Sequence, residues 1–148
     1  MFIYTIDIFM YKYLHNPVRK FLYILIVLGL SISCKKQKLT NGGDGWSIKE
    51  IIVNDLDYTV TYRNIVSNEV IYFRKDNTYK ESLWYVQTGA NQIDGTWEFK
   101  DNRKKLEIVK EGGYTELWNV EELKSKKMKL IRTDAATGWT YEVEYEKD

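Results

Sequence analysis

Histidine and cysteine, the residues that most often carry nucleophilic and metal chemistry, are almost absent from this chain. The one histidine is His15 and the one cysteine is Cys34, so residues 35–148 contain neither. A nucleophile activated by histidine is therefore excluded in that segment, and so is zinc held by His or Cys ligands. The sequence predicts no catalytic residue, no metal ligand and no cofactor there, and we expect a protein that is not an enzyme.

Carboxylates are the remaining groups that could do acid–base work, because paired acids flanking a bond are the chemistry of glycosidases. The pairs nearest in sequence are Asp55 with Asp57 and Glu121 with Glu122. Oxygens at residues 54–57 suggest calcium, but this segment lacks the glycine and the distal glutamate of an EF-hand loop. Acid chemistry therefore depends on whether the fold buries two carboxylates in one cleft.

Aromatic side chains offer a different function, because their rings can pack against a bound apolar molecule. The residues that could line an interior site of this kind are Trp97, Phe99, Trp118 and Tyr141. The alternative is that the same rings fill a packed core. A cavity of roughly a few hundred Å³ with an open mouth would favour the first interpretation.

Apolar and polar residues alternate with a period of two from Trp46 onwards, which is typical of half-buried antiparallel strands. The clearest case is residues 139–146, where one face is aromatic or apolar and the other carries three glutamates. We expect those glutamates to face solvent. In residues 95–99 the same rule points Trp97 inward and Glu98 outward.

About nine strand candidates follow one another at short, even spacing, separated by turns rich in Asp, Asn and Gly. They predict an all-β fold, which could be a meander, a barrel or a sandwich. Tyr58, Val60 and Tyr62 form one of the alternating sets. A β-bulge near Lys49 and Glu50 would keep the apolar residues of the first strand on one face.

The first 33 residues have the three parts of an export signal. Three basic residues lie between positions 12 and 20, and an apolar run follows at residues 21–30. The run is well short of the roughly 20 residues that a spanning helix needs. Small residues at 31 and 33 then precede Cys34. Because residues 1–8 are apolar and include an acid, we expect the true start to be Met10.

A signal that ends in this way resembles the bacterial lipoprotein signal, in which the cysteine is diacylated on sulfur and becomes the new N-terminus. The resemblance implies that residues 1–33 are removed and that Cys34 carries the lipid, which makes the membrane a partner. An uncleaved signal anchor, or an ordinary signal cut near Ser33, are the alternatives.

Removal of the signal would leave a tether at residues 34–45 and one domain at residues 46–148. The tether is polar and glycine-rich without an apolar period, which predicts a flexible linker. The signal holds three of the 22 basic and one of the 21 acidic residues, which leaves 19 and 20. That balance gives no basic excess to neutralise phosphates, so we expect no nucleic-acid partner. We expect a monomer.

The order of these features resembles the small lipocalin-like lipoproteins of Bacteroidetes-type bacteria. The resemblance covers residues 46–148 and is carried by Trp46 after the tether, the aromatic turn at 73–79, residues 95–99 and the closing strand at 141–147. It implies an all-β, lipocalin-like fold, an antiparallel up-and-down barrel or half-barrel of about eight to nine strands, whose interior can hold a small apolar ligand.

Three functional classes are compatible with these features. The first is an envelope lipoprotein that binds a small apolar ligand in its barrel. The second is a structural or protein-interaction lipoprotein with a filled barrel, such as an accessory subunit or an inhibitor. The third is an enzyme, which the missing His and Cys disfavour.

In the resembled group an acidic cluster after the cysteine directs proteins outward. Because Lys35 follows Cys34 here, we expect an outer-membrane anchor with the domain facing the periplasm.

Overall fold

The structure is a computed structural model that describes residues 35–40, 43 and 45–147. The predicted signal at residues 1–33 and the predicted lipidation site Cys34 lie outside the described residues. Within them, no helix has the length and apolar character needed to cross a membrane. Residues Lys36–Asp148 form a compact unit. This unit contains every strand and the hydrophobic core described below, and so has what a domain needs to fold alone.

The described part of the chain forms nine antiparallel β-strands, with short connections between most of them. The strands are β1 Trp46–Val53, β2 Leu56–Asp57, β3 Val66–Phe73, β4 Thr78–Tyr85, β5 Gly89–Lys100, β6 Lys105–Lys110, β7 Thr115–Leu123, β8 Lys127–Thr133 and β9 Thr140–Glu146. A short helix, α1 (Thr59–Arg63), lies between β2 and β3, and a 3-10 turn (Asp101–Arg103) joins β5 to β6.

Eight of these strands close into a barrel, and the ninth, β2, extends β1 as a short hairpin. Each strand from β3 to β8 pairs with the next, and β1 pairs with both β3 and β9. The pairing of β1 with β9 runs from Ser47 opposite Glu146 to Val53 opposite Tyr141. The predicted all-β antiparallel fold is confirmed, and this ladder makes it a full barrel and not a half-barrel.

The predicted bulge in β1 is present. The register of β1 against β9 shifts between Ile48 and Glu50. Because a bulge adds one residue to one strand, it reverses the alternation of faces beyond it. Ile48 and Ile51 consequently both reach the barrel interior.

The alternating set Tyr58, Val60 and Tyr62 was predicted as a strand, and this prediction is wrong. The segment is helix α1, and Val60 is largely exposed. Side-chain hydrogen bonds, and not the backbone pairing of a β-ladder, stabilise this turn. Asp57 Oδ1 accepts the Thr59 backbone N–H at 2.9 Å, and Thr59 Oγ1 accepts the Ile51 N–H at 2.9 Å. Local bonds of this kind compete with strand formation.

One end of the barrel, termed the closed end, carries the connections β3–β4, β5–β6 and β7–β8. It is filled by aromatic packing, in which the ring of Phe73 lies 5.5 Å from Tyr79 and 5.6 Å from Trp97. The open end carries the connections β4–β5, β6–β7 and β8–β9 together with residues 54–65.

Residues 35–40 are helical and contribute to the closed end, where the sequence predicted a flexible tether. Leu39 is 1% exposed and belongs to the core. The Trp46 indole N–H donates to the Leu39 carbonyl at 3.0 Å, and the Lys147 ammonium donates to the same oxygen at 3.3 Å while lying 4.4 Å from the Trp46 ring. The buried Leu39 side chain and the hydrogen bonds to its carbonyl together dock this short segment.

Candidate functional site

A cavity of about 440 Å³ lies inside the barrel. Two of its lining residues, Tyr58 and Trp139, are 44% and 51% exposed and belong to the open end, so the cavity reaches solvent there. The volume falls within the range of roughly 300–1,000 Å³ that small-molecule sites occupy. Its aliphatic wall is formed by Ile48, Ile51, Val53, Ile71, Ile108, Leu130 and Val143.

The four aromatic residues proposed from the sequence divide between the cavity and the core. Trp118 and Tyr141 line the cavity. Trp97 and Phe99 pack against each other, with ring centroids 5.6 Å apart, in the core toward the closed end. The sequence predicted that these side chains point inward. It did not predict how far along the barrel axis each one lies, because that position depends on strand tilt and register.

The carboxylate pairs nearest in sequence do not meet in the cavity. Asp55 lies in the turn between β1 and β2, and Asp57 accepts the Thr59 N–H beside it. Glu122 is ion-paired with lysines at the closed end. Three other glutamates, which sequence reasoning missed, line the cavity and are at most 9% exposed: Glu69, Glu81 and Glu116.

Lys110 joins two of these carboxylates across the cavity wall. Its ammonium lies 2.8 Å from Glu81 Oε2 and 3.1 Å from Glu116 Oε1. Burial disfavours the charged ammonium, but the Glu116 and Glu81 carboxylates outweigh that effect and hold the pKa of Lys110 above its ordinary value. Lys110 therefore links β4 to β7 through ion pairs with both carboxylates.

Neighbouring donors complete the coordination of the same two carboxylates. The Tyr79 hydroxyl donates to Glu81 Oε2 at 2.8 Å, and the Trp118 indole N–H donates to Glu116 Oε2 at 2.9 Å. Arg132 approaches Glu116 Oε1 at 3.5 Å and stacks 4.8 Å from the Trp118 ring. These partners offset the cost of burying the two charges.

Glu69 stands apart from this network. Among the described residues its one hydrogen bond comes from the Tyr62 hydroxyl on α1, and no cation forms an ion pair with it. Burial raises the pKa of Glu69 to about 7. The Tyr62 hydrogen bond and the more distant positive charge of Lys110 oppose the rise, and the negative charges of Glu81 and Glu116 add to it. Burial, together with the charge of Glu69, likewise raises the pKa of Tyr62, so its hydroxyl keeps its proton.

Gly95 lets the backbone of β6 approach β5 closely. It pairs with Tyr79 on one side and Lys110 on the other. A Cβ added at Gly95 would lie 2.3 Å from the Val109 carbonyl oxygen, a distance that real structures do not tolerate. Glycine is therefore required by the close approach of β6.

The sequence contained a signal for these missed residues. Glu69 shares its strand face with Ile71 and Phe73, and Glu116 shares its face with Trp118. A charged residue at an inward position marks a group that the fold must bury, and such positions are rare unless the charge is paired or functional.

Large exposed hydrophobic residues gather around the mouth of the cavity. We call them the apolar rim: Leu56, Tyr58, Val60, Ile65, Val86, Tyr114 and Trp139. All belong to connections at the open end or to β2 and α1 beside them. Large exposed apolar residues that are concentrated at one end of a protein commonly mark a contact site.

Comparison with solved structures supports the architecture. A lipocalin-like protein from Bacteroides uniformis matches with a TM-score of 0.50 and 13% sequence identity, over 75% of this chain and 99% of that chain. The barrel is lipocalin-like. An uncharacterized protein from Bacteroides eggerthii matches with a TM-score of 0.47 and 16% identity, over 70% of this chain and 97% of that one. No family model matches the chain, and no curated protein matches it.

Proposed function

We propose that this domain binds a small, largely apolar molecule inside its barrel. The observation that carries the proposal is the cavity of about 440 Å³, which is lined by aliphatic and aromatic side chains and opens to solvent beside Tyr58 and Trp139. A packed barrel would leave no such space. The predominance of apolar lining with a few convergent polar groups is the usual composition of a ligand pocket.

A cavity-filling substitution tests this proposal. Val143 lines the cavity, whereas Val109 lies on the outer face of β6. Val143→Phe should abolish uptake of a neutral fluorescent apolar probe by residues 36–148, and Val109→Phe should leave it unchanged. Equal uptake by both variants would place the probe outside the barrel and contradict the proposal. Native mass spectrometry of the protein taken from its own envelope would show whether a ligand is retained.

The cellular setting that we propose is the bacterial envelope, with a lipid on Cys34 as the anchor. Cys34 lies five positions before Leu39, which is docked at the closed end. An anchor there would tether the domain by its closed end and keep the mouth free for a ligand. We propose the outer membrane, with the domain facing the periplasm.

The apolar rim favours a second candidate function, a contact with another protein. Its residues are exposed although they are large and hydrophobic. Charge substitutions at two of them, Val60→Asp and Ile65→Asp, would weaken a rim contact without entering the cavity lining. Loss of a cross-linked partner in cells with retained probe uptake in vitro would assign the rim to a partner and the cavity to the ligand.

The third class is an enzyme, for which the buried carboxylates would be the acid–base groups. Glu81 and Glu116 are both ion-paired with Lys110, and Glu69 accepts a hydrogen bond from the Tyr62 hydroxyl. We propose that Glu69 orients a ligand, that Glu81 and Glu116 stabilise the cavity wall, and that the protein is not an enzyme. Recovery of a probe molecule chemically unchanged after prolonged incubation is the expected result.

A further inference from the structure

We infer that the molecule bound in this cavity carries a cationic nitrogen, such as a protonated amine, placed against Glu69, with its apolar body along the aliphatic wall. This inference rests on the proposed function above, that the cavity is a ligand site. It adds the charge class of the ligand and the residue that selects it.

The charges around the cavity are not balanced. Glu69, Glu81 and Glu116 line it with one cation, Lys110, and Arg132 beside Glu116 adds a second. Among the residues that the structure describes there, three carboxylates face two cations, and one of the carboxylates has no ion-pair partner. An anionic headgroup would add a further negative charge to this site, whereas a single cation would neutralise it.

The uncompensated carboxylate is Glu69. Lys110 is engaged by the other two carboxylates, and Arg132 contacts Glu116. In the part of the chain that the structure describes, Glu69 is left with one neutral donor, the Tyr62 hydroxyl, although it is only 9% exposed. A buried carboxylate of this kind is costly unless a cation joins it.

Aromatic rings provide independent support for a cation. Besides Tyr62, the cavity is lined by Tyr58, Trp118, Trp139 and Tyr141, whose π faces attract positive charge. Arg132 already occupies such positions, 4.8 Å from the Trp118 ring and 5.4 Å from the Tyr141 ring. Tyr58 and Trp139 at the mouth are left to meet an incoming cation.

The raised pKa of Glu69 is consistent with this geometry. Burial moves the pKa to about 7, so near neutral pH the side chain is divided between its neutral and ionised forms. A cation bound beside Glu69 favours the ionised form and lowers that pKa. The site is therefore prepared for a ligand that supplies the missing positive charge.

Three probes with one tail and different headgroups separate the possibilities: decylamine, decanol and decanoate, each below its micelle concentration. Binding to residues 36–148 at pH 7.5 can be followed through the fluorescence of Trp118 and Trp139, which line the cavity, and by calorimetry. We expect decylamine to bind at least about tenfold more tightly than decanol, because it pairs with a buried charge. Decanoate should bind most weakly.

Glu69→Gln is the variant that tests the residue, since it removes the charge and keeps the size. Its matched control is Glu98→Gln, an exposed glutamate on the outer face of β5 that changes the net charge equally. Glu69→Gln should remove the preference for decylamine over decanol, and Glu98→Gln should preserve it. If Glu69→Gln fails to fold, the ranking of the three probes on the unmodified protein still tests whether the cavity prefers a cationic ligand.

The outcomes are distinguishable. If decanol or decanoate binds as tightly as decylamine, the cationic inference is overturned and the cavity remains a ligand site. If the preference for decylamine survives Glu69→Gln, the assignment to Glu69 is overturned. If none of the three probes binds, the proposed function fails together with this inference.

Discussion

Trp97 shows how much a single inward side chain contributes to this barrel. It is 3% exposed, its ring meets Phe73 and Phe99 edge to face at 5.6 Å, and its indole N–H donates to the Arg74 carbonyl at 3.1 Å. The next residue, Glu98, lies on the outer face of the same strand and pairs with Lys100. Neighbouring residues in one strand thus have opposite environments.

Trp97→Ala should therefore lower the free energy of unfolding by about 3–5 kcal/mol, the usual cost of removing a buried aromatic side chain. Glu98→Ala should change it by less than about 0.5 kcal/mol, because exposed pairs contribute little. Urea unfolding of residues 36–148 measures both. A larger loss from Glu98→Ala would mean that the two faces of β5 have been exchanged.

Glu69 makes the stability of the domain depend on pH in an unusual direction. Burial raises its pKa from 4.5 to about 7 in the folded state. Between these values the folded form keeps a proton that the unfolded form releases, so the contribution of Glu69 to stability falls as pH rises. The titratable groups that face it are Tyr62 on α1, Glu81 on β4, Lys110 on β6, Glu116 on β7 and Tyr145 on β9.

Glu69→Gln should remove this dependence while those neighbours stay the same. Relative to the unmodified protein, the variant should gain stability between pH 4 and pH 8, by up to roughly 3 kcal/mol for a shift of this size. Glu98→Gln should show no such gain, because Lys100 lowers the pKa of Glu98. Urea unfolding at several pH values gives the comparison. A constant difference between Glu69→Gln and the unmodified protein would show that Glu69 is not perturbed.

At the scale of elements, the helical residues 35–40 act as a plug for the closed end. Leu39 is buried within the core cluster, and its carbonyl accepts hydrogen bonds from Trp46 and Lys147. Lys36 also reaches Asn77 in the β3–β4 connection, with a distance of 2.6 Å between Nζ and Oδ1. This segment is thus attached both by packing and by polar contacts.

Leu39→Ala should cost about 2–5 kcal/mol, because it leaves a cavity at the closed end. Gln37→Ala, a substitution at an exposed position of the same helical segment, should have little effect. Thermal unfolding of the two variants separates a docked plug from a loose tether. Equal melting temperatures for both variants would favour the loose tether.

At the scale of the whole molecule, the two ends of the barrel have different roles. The closed end is filled by aromatic rings and Leu39, whereas the open end carries the cavity, the buried charges near it and the apolar rim. A lipid on Cys34 would tether the first and leave the second accessible.

Replacement of the proposed lipidation site tests this arrangement in cells. Cys34→Ala in the full chain should release the domain into the soluble envelope fraction or leave the signal uncleaved, because the thiol that accepts the lipid is gone. Fractionation and mass measurement of the product report both results. Membrane attachment and lipid content that match the unmodified protein would rule out Cys34 as the anchor.

Local sequence patterns were enough to predict the properties that depend on neighbouring residues. Alternation with a period of two specified the strands and their inward faces, and the parity of β1 required the bulge after Ile48. The alternation of Tyr58, Val60 and Tyr62 predicted a strand wrongly. Three alternating residues favour a strand only weakly, and the side-chain hydrogen bonds of Asp57 and Thr59 stabilise a turn and helix there instead.

Three properties followed from the folded arrangement alone: the closure of the barrel, the position of each aromatic side chain along the barrel axis, and the pairing of the buried charges. The ladder between β1 and β9 joins the first and last strands, and no local pattern specifies so distant a pairing. Strand tilt and register then placed Trp97 in the core and Trp118 at the cavity. The same geometry brought Lys110 to Glu81 and Glu116 and left Glu69 without a cation among the described residues, because ion pairing depends on distances across strands that alternation does not contain.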